Sequence, residues 1–220
     1  SETYLKNSRK PLVAFSDIND DLSRRDFTVN SIAVSILPES YGQIFDPFNG
    51  IKDINDKKLI TPLDPDKTYK DDPLRMLRAI RFAAQLNFEI DTKSFENIKI
   101  NRKRLNIISQ ERITEELIKL LSTNKPSIGF YLMQKSKLLE YVFPEMLDLP
   151  GIEIVNGMGH KDVFIHTLQV VDNAAKLTNK MEIRFAALVH DIAKPITKRF
   201  NKTKGWTYHC LLYTSPSPRD

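Results

Sequence analysis

From Asp71 onward, apolar side chains recur every three or four positions, whereas the first sixty residues carry short apolar runs separated by turn formers. The helical period predicts helices over residues 71–86, 92–98, 110–122, 128–135, 162–178 and 182–192. In the first part, residues 12–15, 43–45 and 58–60 read as strands. Residues 22–36 read as a helix, with Phe27, Ile32 and Ile36 on its apolar face, Asp20 or Asp21 near its start and Pro38 ending it. Asp46-Pro47-Phe48-Asn49-Gly50 is turn chemistry. The fold class expected is α+β and predominantly α. A composition shift at residues 61–70, centred on Pro62 and Pro65, marks the main expected domain boundary. A weaker one lies at residues 150–159, which hold three glycines. There is no internal repeat and no low-complexity segment.

Composition narrows the class only a little. Of 220 residues, 41% are hydrophobic and 28% charged, which suits an ordinary globular protein with a sizeable core. No apolar run approaches the ~20 residues that span a bilayer, and no signal-peptide pattern opens the chain. The expectation is a cytoplasmic protein with no membrane partner. A net charge of +5 fits contact with nucleic acid. The single cysteine, Cys210, opens the run 210–220, which breaks every preceding pattern and resembles the translation of a sequencing adapter; the alternative is a disordered Ser/Pro tail. With that run set aside no cysteine remains, in keeping with a reducing compartment and without disulfides or thiolate metal sites. Ser1 is not an initiator methionine, and the chain is read as an internal fragment.

Candidate chemistry concentrates in two arginine-rich segments. Asp72 and Arg75, at i,i+3 on the expected helix, would project from one face with Arg78 a turn further. A carboxylate beside a guanidinium offers an acceptor next to donors. Cytosine and adenine show the complementary amino group and ring nitrogen, whereas uracil and guanine do not, so the couple could admit C or A and reject U or G. The alternative is a surface ion pair. In Ser23-Arg24-Arg25-Asp26-Phe27-Thr28-Val29-Asn30, Arg24 and Arg25 could grip phosphates, with Asp26 and Asn30, one turn apart, on a ribose. Ser23 or Asp21 capping the helix would add its positive end; the alternative is a helix start with surface charges. Asp64-Pro65-Asp66, between prolines, reads as a solvated turn and not a metal-binding pair. His166, inside an apolar helix, and His190-Asp191, closing another, could hold a divalent metal able to activate water; a core histidine is the alternative. His160 and His209 are expected to be non-ligands. Lys99, Arg102, Lys103 and Arg104 form a basic cluster for an RNA backbone, or a solvated face.

In this order the segments resemble the bacterial CCA-adding tRNA nucleotidyltransferase and poly(A) polymerase family, of the class II polymerase-β-like superfamily. Asp21 to Ala33 looks like the family motif that holds the incoming sugar and phosphates, and Asp46 to Asp53 like the one joining head and neck. Asp71-Asp72-Pro73-Leu74-Arg75 is similar to Glu-Asp-x-x-Arg, with Asp71 in place of Glu, whose Asp and Arg template C and A. Glu111-Arg112-Ile113 with Glu116-Leu117 resembles the neck helix motif. Val163 to Leu168 and His190 to Pro195 resemble the HD-type metal-dependent phosphohydrolase domain. The resemblance implies the end of an α/β head over 1–62, a helical, nucleotide-selecting and RNA-binding neck over 63–149, and the start of a helical HD domain over 150–209. It implies C and A addition to tRNA from CTP and ATP with Mg²⁺, and a divalent metal in the HD site. The family's Gly-Gly turn and metal-binding Asp-x-Asp are expected upstream of this segment, so no catalytic residue is assigned and the segment alone is expected to be inactive. Gly205 to His209 resembles the approach to a further HD histidine. Rival readings are a poly(A) polymerase or C- or A-only enzyme, an HD phosphohydrolase, and a non-catalytic RNA-binding module.

Overall fold

The computed structural model describes residues 2–3, 12–13, 17–151, 154–155, 158–159, 162–201 and 205–208. Ala14, Phe15, His160, His209 and the run 210–220 lie outside the described residues. The chain divides into two compact units, residues 1–113 and 114–220.

The first unit opens with a short antiparallel pair, β1 (Glu2–Thr3) and β2 (Leu12–Val13), followed by α1 (Ile18–Ser23). The helix expected over 22–36 does not form. The chain leaves α1 at Arg24, extends through Phe27, makes one 3-10 turn at Thr28–Asn30 and enters β3 (Ala33–Val34). Local polar bonds compete with helix here: the Asn30 side-chain oxygen accepts from the Phe27 N–H at 3.0 Å, and the Ser31 hydroxyl donates to the Phe27 carbonyl at 2.9 Å. Thr28, Val29, Ile32 and Val34, stiff at their branched carbons, suit the extended alternative. β3 pairs antiparallel with β4 (Ile44–Phe45), Ala33 opposite Phe45.

The Asp46–Gly50 turn delivers α2 (Gly50–Asn55), and the Asp46 carboxylate accepts from Gly50 N at 2.7 Å and Ile51 N at 2.9 Å. A side chain at Gly50 would place its Cβ 2.2 Å from the Thr28 carbonyl oxygen, so glycine is what lets α2 lie against the 3-10 turn. The contact is closed by the Thr28 hydroxyl donating to buried Asp53 at 2.6 Å.

β5 (Lys58–Leu59) runs parallel to β6 (Glu89–Ile90), a strand the periodicity did not announce. Between them the expected proline linker instead starts a helix, α3 (Pro65–Asp71), with Asp64 capping it and Pro65 at its first position. The helix expected from 71 begins later, as α4 (Leu74–Leu86). Asp72 sits between the two helices with φ −137° and ψ 100°, because the ring of Pro73 disfavours helical backbone before it. Leu74, Met76, Leu77, Ile80 and Ala83 of α4 join Phe27, Leu59, Tyr69 and Ile98 in the core. The Tyr69 phenol meets the Ser94 hydroxyl at 2.5 Å, and burial pushes its pKa up. α5 (Thr92–Asn101) and a 3-10 segment (Arg102–Ile107) follow.

α6 (Gln110–Leu121) carries the chain into the second unit, where α7 (Pro126–Ser136), α8 (Leu139–Val142), α9 (Val163–Leu177), α10 (Met181–Val189) and α11 (Lys194–Thr197) dominate. Two short antiparallel pairs complete it: β7 (Ile154–Val155) with β8 (Met158–Gly159), and β9 (Lys198–Asn201) with β10 (Gly205–Tyr208). Phe130, Met133, Leu139, Phe164, Val171 and Leu188 form its core. Arg184, 1% exposed, is held there by four backbone carbonyls and one side-chain amide: Nε donates to Thr178 O, Nη1 to Leu121 O and Thr123 O, and Nη2 to Ala175 O and Asn179 Oδ1. The guanidinium sits where α6 and α9 end, the negative poles of both helices. No described helix is long and apolar enough to cross a membrane.

Candidate nucleotide and metal sites

The two arginine-rich segments, some fifty residues apart in sequence, meet in the first unit. Asp26 is the hinge of that meeting. Its Oδ1 lies 3.1 Å from Arg75 Nε and its Oδ2 2.5 Å from Arg78 Nη2, with the Asp26 side chain only 10% exposed. Arg75 also donates through Nη2 to the Arg24 carbonyl oxygen. Arg75 and Arg78 occupy one face of α4 at i,i+3. Phe82, a turn further along, meets the buried ring of Phe27 edge-on at 5.7 Å and carries the Arg81 guanidinium 4.0 Å above its own centroid. The Thr28 N–H donates to Ile60 O at 2.8 Å, tying the segment to the end of β5.

Asp72 and Arg75 are close in the chain, but they are not two teeth on one helix as the spacing suggested. Asp72 precedes α4 and caps it, Oδ1 accepting from Leu74 N at 3.1 Å, while Arg112 Nη2 approaches Oδ2 at 3.5 Å. Carboxylate and guanidinium therefore take separate supports, the helix start with Arg112 for one and the 24–26 turn for the other. Arg112 was visible only as part of a neck motif; nothing local in its sequence signals a partner forty residues earlier.

The first segment also departs from expectation. Asp26 and Asn30 are not a turn apart on a helix; Asp26 is engaged by two arginines and the Asn30 oxygen by Phe27 N. Ser23 closes α1 instead of opening a helix, and its hydroxyl donates to Asp20 O. Arg24 and Arg25 are exposed, Arg25 lying 3.2 Å from Asp21.

Of the basic cluster, Lys103 is exposed. Lys99 pairs with Glu96 at 2.7 Å, Arg102 Nη1 donates to Lys99 O, and Arg104 donates to Lys70 O at the end of α3. Asp64 and Asp66 are helix-start residues. The Lys93 ammonium holds the Asp64 carboxyl below the usual carboxylate range, and Lys70, then Asn101, do the same for Asp66.

In the second unit α9 and α10 bring His166, His190 and Asp191 together, with one ligand atom from each lying within 4.8 Å of the others. Asp191, buried, has Oδ2 3.1 Å from His190 Nε2 and 3.6 Å from His166 Nε2, and the imidazole centroids are 5.4 Å apart. His190 Nδ1 meets Ala187 O at 2.8 Å, a bond that orients the ring and leaves Nε2 toward the carboxylate. Lys194 Nζ lies 2.7 Å from the same Asp191 oxygen; its i,i+3 spacing was the signal for it. Two imidazoles and a carboxylate at this separation fit a divalent transition metal.

Comparison with known proteins identifies the modules. Residues 1–60 match the poly A polymerase head domain, 87–149 the probable RNA and SrmB-binding site of polymerase A, and 163–213 the HD domain. Among curated proteins, a Multifunctional CCA protein of Psychromonas ingrahamii is 36% identical over 188 residues, 83% of this chain and 44% of that protein. One of Shewanella frigidimarina is 34% identical over 198 residues, 87% of this chain and 45% of that one. Among solved structures, the Bacillus stearothermophilus CCA-adding enzyme in complex with CTP is 28% identical with a TM-score of 0.61, covering 82% of this chain and 42% of that one. A tRNA nucleotidyltransferase complexed with a primer tRNA and an incoming ATP analog is 25% identical with a TM-score of 0.63, covering 81% of this chain and 52% of that one. Head, RNA-binding and HD modules follow one another in this order along the chain. The chain carries modules of the poly A polymerase head, RNA-binding and HD families and is similar to Multifunctional CCA proteins, of whose length it spans a little under half.

Proposed function

We propose that the full-length protein adds C and A to tRNA 3′ ends from CTP and ATP, with this segment supplying the base-selecting and RNA-contacting parts. The observation that supports this reading is the junction of the two arginine-rich segments at Asp26, which holds Arg75 three residues beyond the capping Asp72. In this reading the Asp72 carboxylate accepts from the exocyclic amine of C or A and the Arg75 guanidinium donates to the ring nitrogen. U and G would leave both partners mismatched, a basis for rejection. Arg24 and Arg25, exposed at the end of α1, are assigned to phosphates, Arg78 to the same pocket, and Lys99, Arg102, Lys103 and Arg104 to the tRNA backbone. Mg²⁺ would be held by the head's aspartates, none of which is assigned in this chain.

The test is incorporation of CTP, ATP, UTP and GTP by the full-length enzyme carrying Arg75→Ala. Loss of discrimination against UTP and GTP is expected, and unchanged base selection contradicts the template role. A poly(A)-adding enzyme of the same family is the nearest rival, which repeated addition beyond one terminal A would establish.

A second activity is favoured by the approach of His166, His190 and Asp191. These three would hold a divalent metal, which when bound supplies an activated water for phosphoester hydrolysis. Lys194 would neutralise the Asp191 carboxylate until the metal arrives. Metal titration and phosphodiesterase assay of His190→Ala test this; both signals are expected to fall, and full retention rejects it.

A further inference from the structure

Three nitrogen groups converge on a single oxygen of Asp191. Its Oδ2 lies 2.7 Å from Lys194 Nζ, 3.1 Å from His190 Nε2 and 3.6 Å from His166 Nε2. The lysine therefore sits on the same oxygen that faces both imidazoles, where a metal would need it. With only 10% of the Asp191 side chain exposed, its charge calls for a counter-charge whether or not a metal is bound. Lys194 supplies one, with the sign of the ion and in its place. The backbone behind that ammonium is pinned: Ile192 N donates to Val189 O, Lys194 N to Asp191 O, and both the N–H and the hydroxyl of Thr197 to Ala193 O. The side chain itself is a compact point charge on a flexible four-carbon stem, one-third exposed. Such a group can change partners without a change of backbone. An ammonium that leaves Asp191 stays at the mouth of the same site.

We propose that Lys194 exchanges between two anions: Asp191 in the metal-free protein, and the phosphate of a phosphoester substrate once that carboxylate has turned to a metal. The proposal rests on the metal-binding reading of His166, His190 and Asp191 given above. Lys194 then opposes metal loading, because its ion pair with Asp191 must first break. It favours phosphate at the loaded site, because the ammonium is released where the phosphate arrives.

The experiment titrates Mn²⁺ into the 220-residue chain as wild type, Lys194→Met, Lys194→Arg and His190→Ala, following the paramagnetic signal of the unbound ion. Phenylphosphonate, a mimic that cannot be hydrolysed, is then titrated into the Mn²⁺-saturated proteins by calorimetry. Lys194→Met is expected to bind Mn²⁺ about fivefold more tightly, the worth of a partly exposed ion pair. It is expected to bind phenylphosphonate about tenfold more weakly, the worth of a charged hydrogen bond. Lys194→Arg keeps the positive charge and should restore most of the phosphonate affinity. Unchanged or weaker Mn²⁺ binding by Lys194→Met, with the ion lost from His190→Ala, overturns the competition and leaves the metal site standing. Tighter Mn²⁺ with unchanged phosphonate binding overturns the second partner. Mn²⁺ bound by His190→Ala as well as by wild type removes the metal reading beneath both. Should Lys194→Met not fold, Lys194→Gln, a neutral donor toward Asp191, takes its place with the same expectations.

Discussion

The two charged clusters are built on opposite plans. In the first unit, Asp26 is shut between Arg75 and Arg78, and its neighbours Phe27 and Thr28 are buried, so this one acid joins two distant stretches of chain. In the second unit, His166, His190 and Lys194 gather around Asp191 at the ends of two helices, with both histidine side chains at least one-third exposed and the partners of Asp191 mostly local. The first cluster is part of what holds the fold together, while the second is carried by a fold made elsewhere, by the α9–α10 core and the carbonyl-bound Arg184. Function and stability should thus be hard to separate at Asp26 and easy to separate at His190.

The largest expected effect follows from this contrast. Asp26→Ala leaves Arg75 without its buried counter-charge and should destabilise the first unit by about 3 kcal/mol, toward the low end for broken buried pairs because Arg78 is partly exposed. Urea unfolding of the chain measures it. Gly50→Ala should follow at about 1–3 kcal/mol, since its Cβ would collide with the Thr28 carbonyl and lever away the turn that presents Asp26. His190→Ala should cost less than about 1 kcal/mol while abolishing saturable binding of Mn²⁺ to the chain; a loss of stability as large as that of Asp26→Ala would erase the contrast.

The smallest effect concerns acid. Asp64 and Asp66 have folded pKa values depressed by Lys93 and Lys70. Their contribution is therefore present above the unfolded value of about 3.9 and lost as pH falls through the lower folded values. Asp64→Asn should narrow its stability gap from wild type below about pH 4, as read by unfolding at successive pH values. An unchanged gap would show that the pair does nothing for the fold.

What the chain revealed in advance follows the same division. Helices whose apolar face is continuous, such as α7 and α9, were legible to within a few residues, and the His190-Asp191 doublet was legible because its chemistry is adjacent in sequence. Residues 22–36 misled, because Phe27, Ile32 and Ile36 mimic a helical stripe while Asn30 and Ser31 satisfy the backbone locally. Asp72 and Arg75 do not share a helix as their spacing implied, since Pro73 excludes Asp72 from α4. The ties from Asp26 to α4 and from Arg112 to Asp72 span about forty to fifty residues, a separation that no local pattern encodes.

That long-range tie is also what can be measured most directly. In the 220-residue chain, a thermodynamic cycle over Asp26→Asn, Arg75→Gln and their combination, read by urea unfolding, isolates the coupling between the two side chains. The structure predicts a coupling of about 1–3 kcal/mol favouring the native pair. Additive effects, agreeing within about 0.3–0.5 kcal/mol, would mean that the two arginine-rich segments do not meet at Asp26.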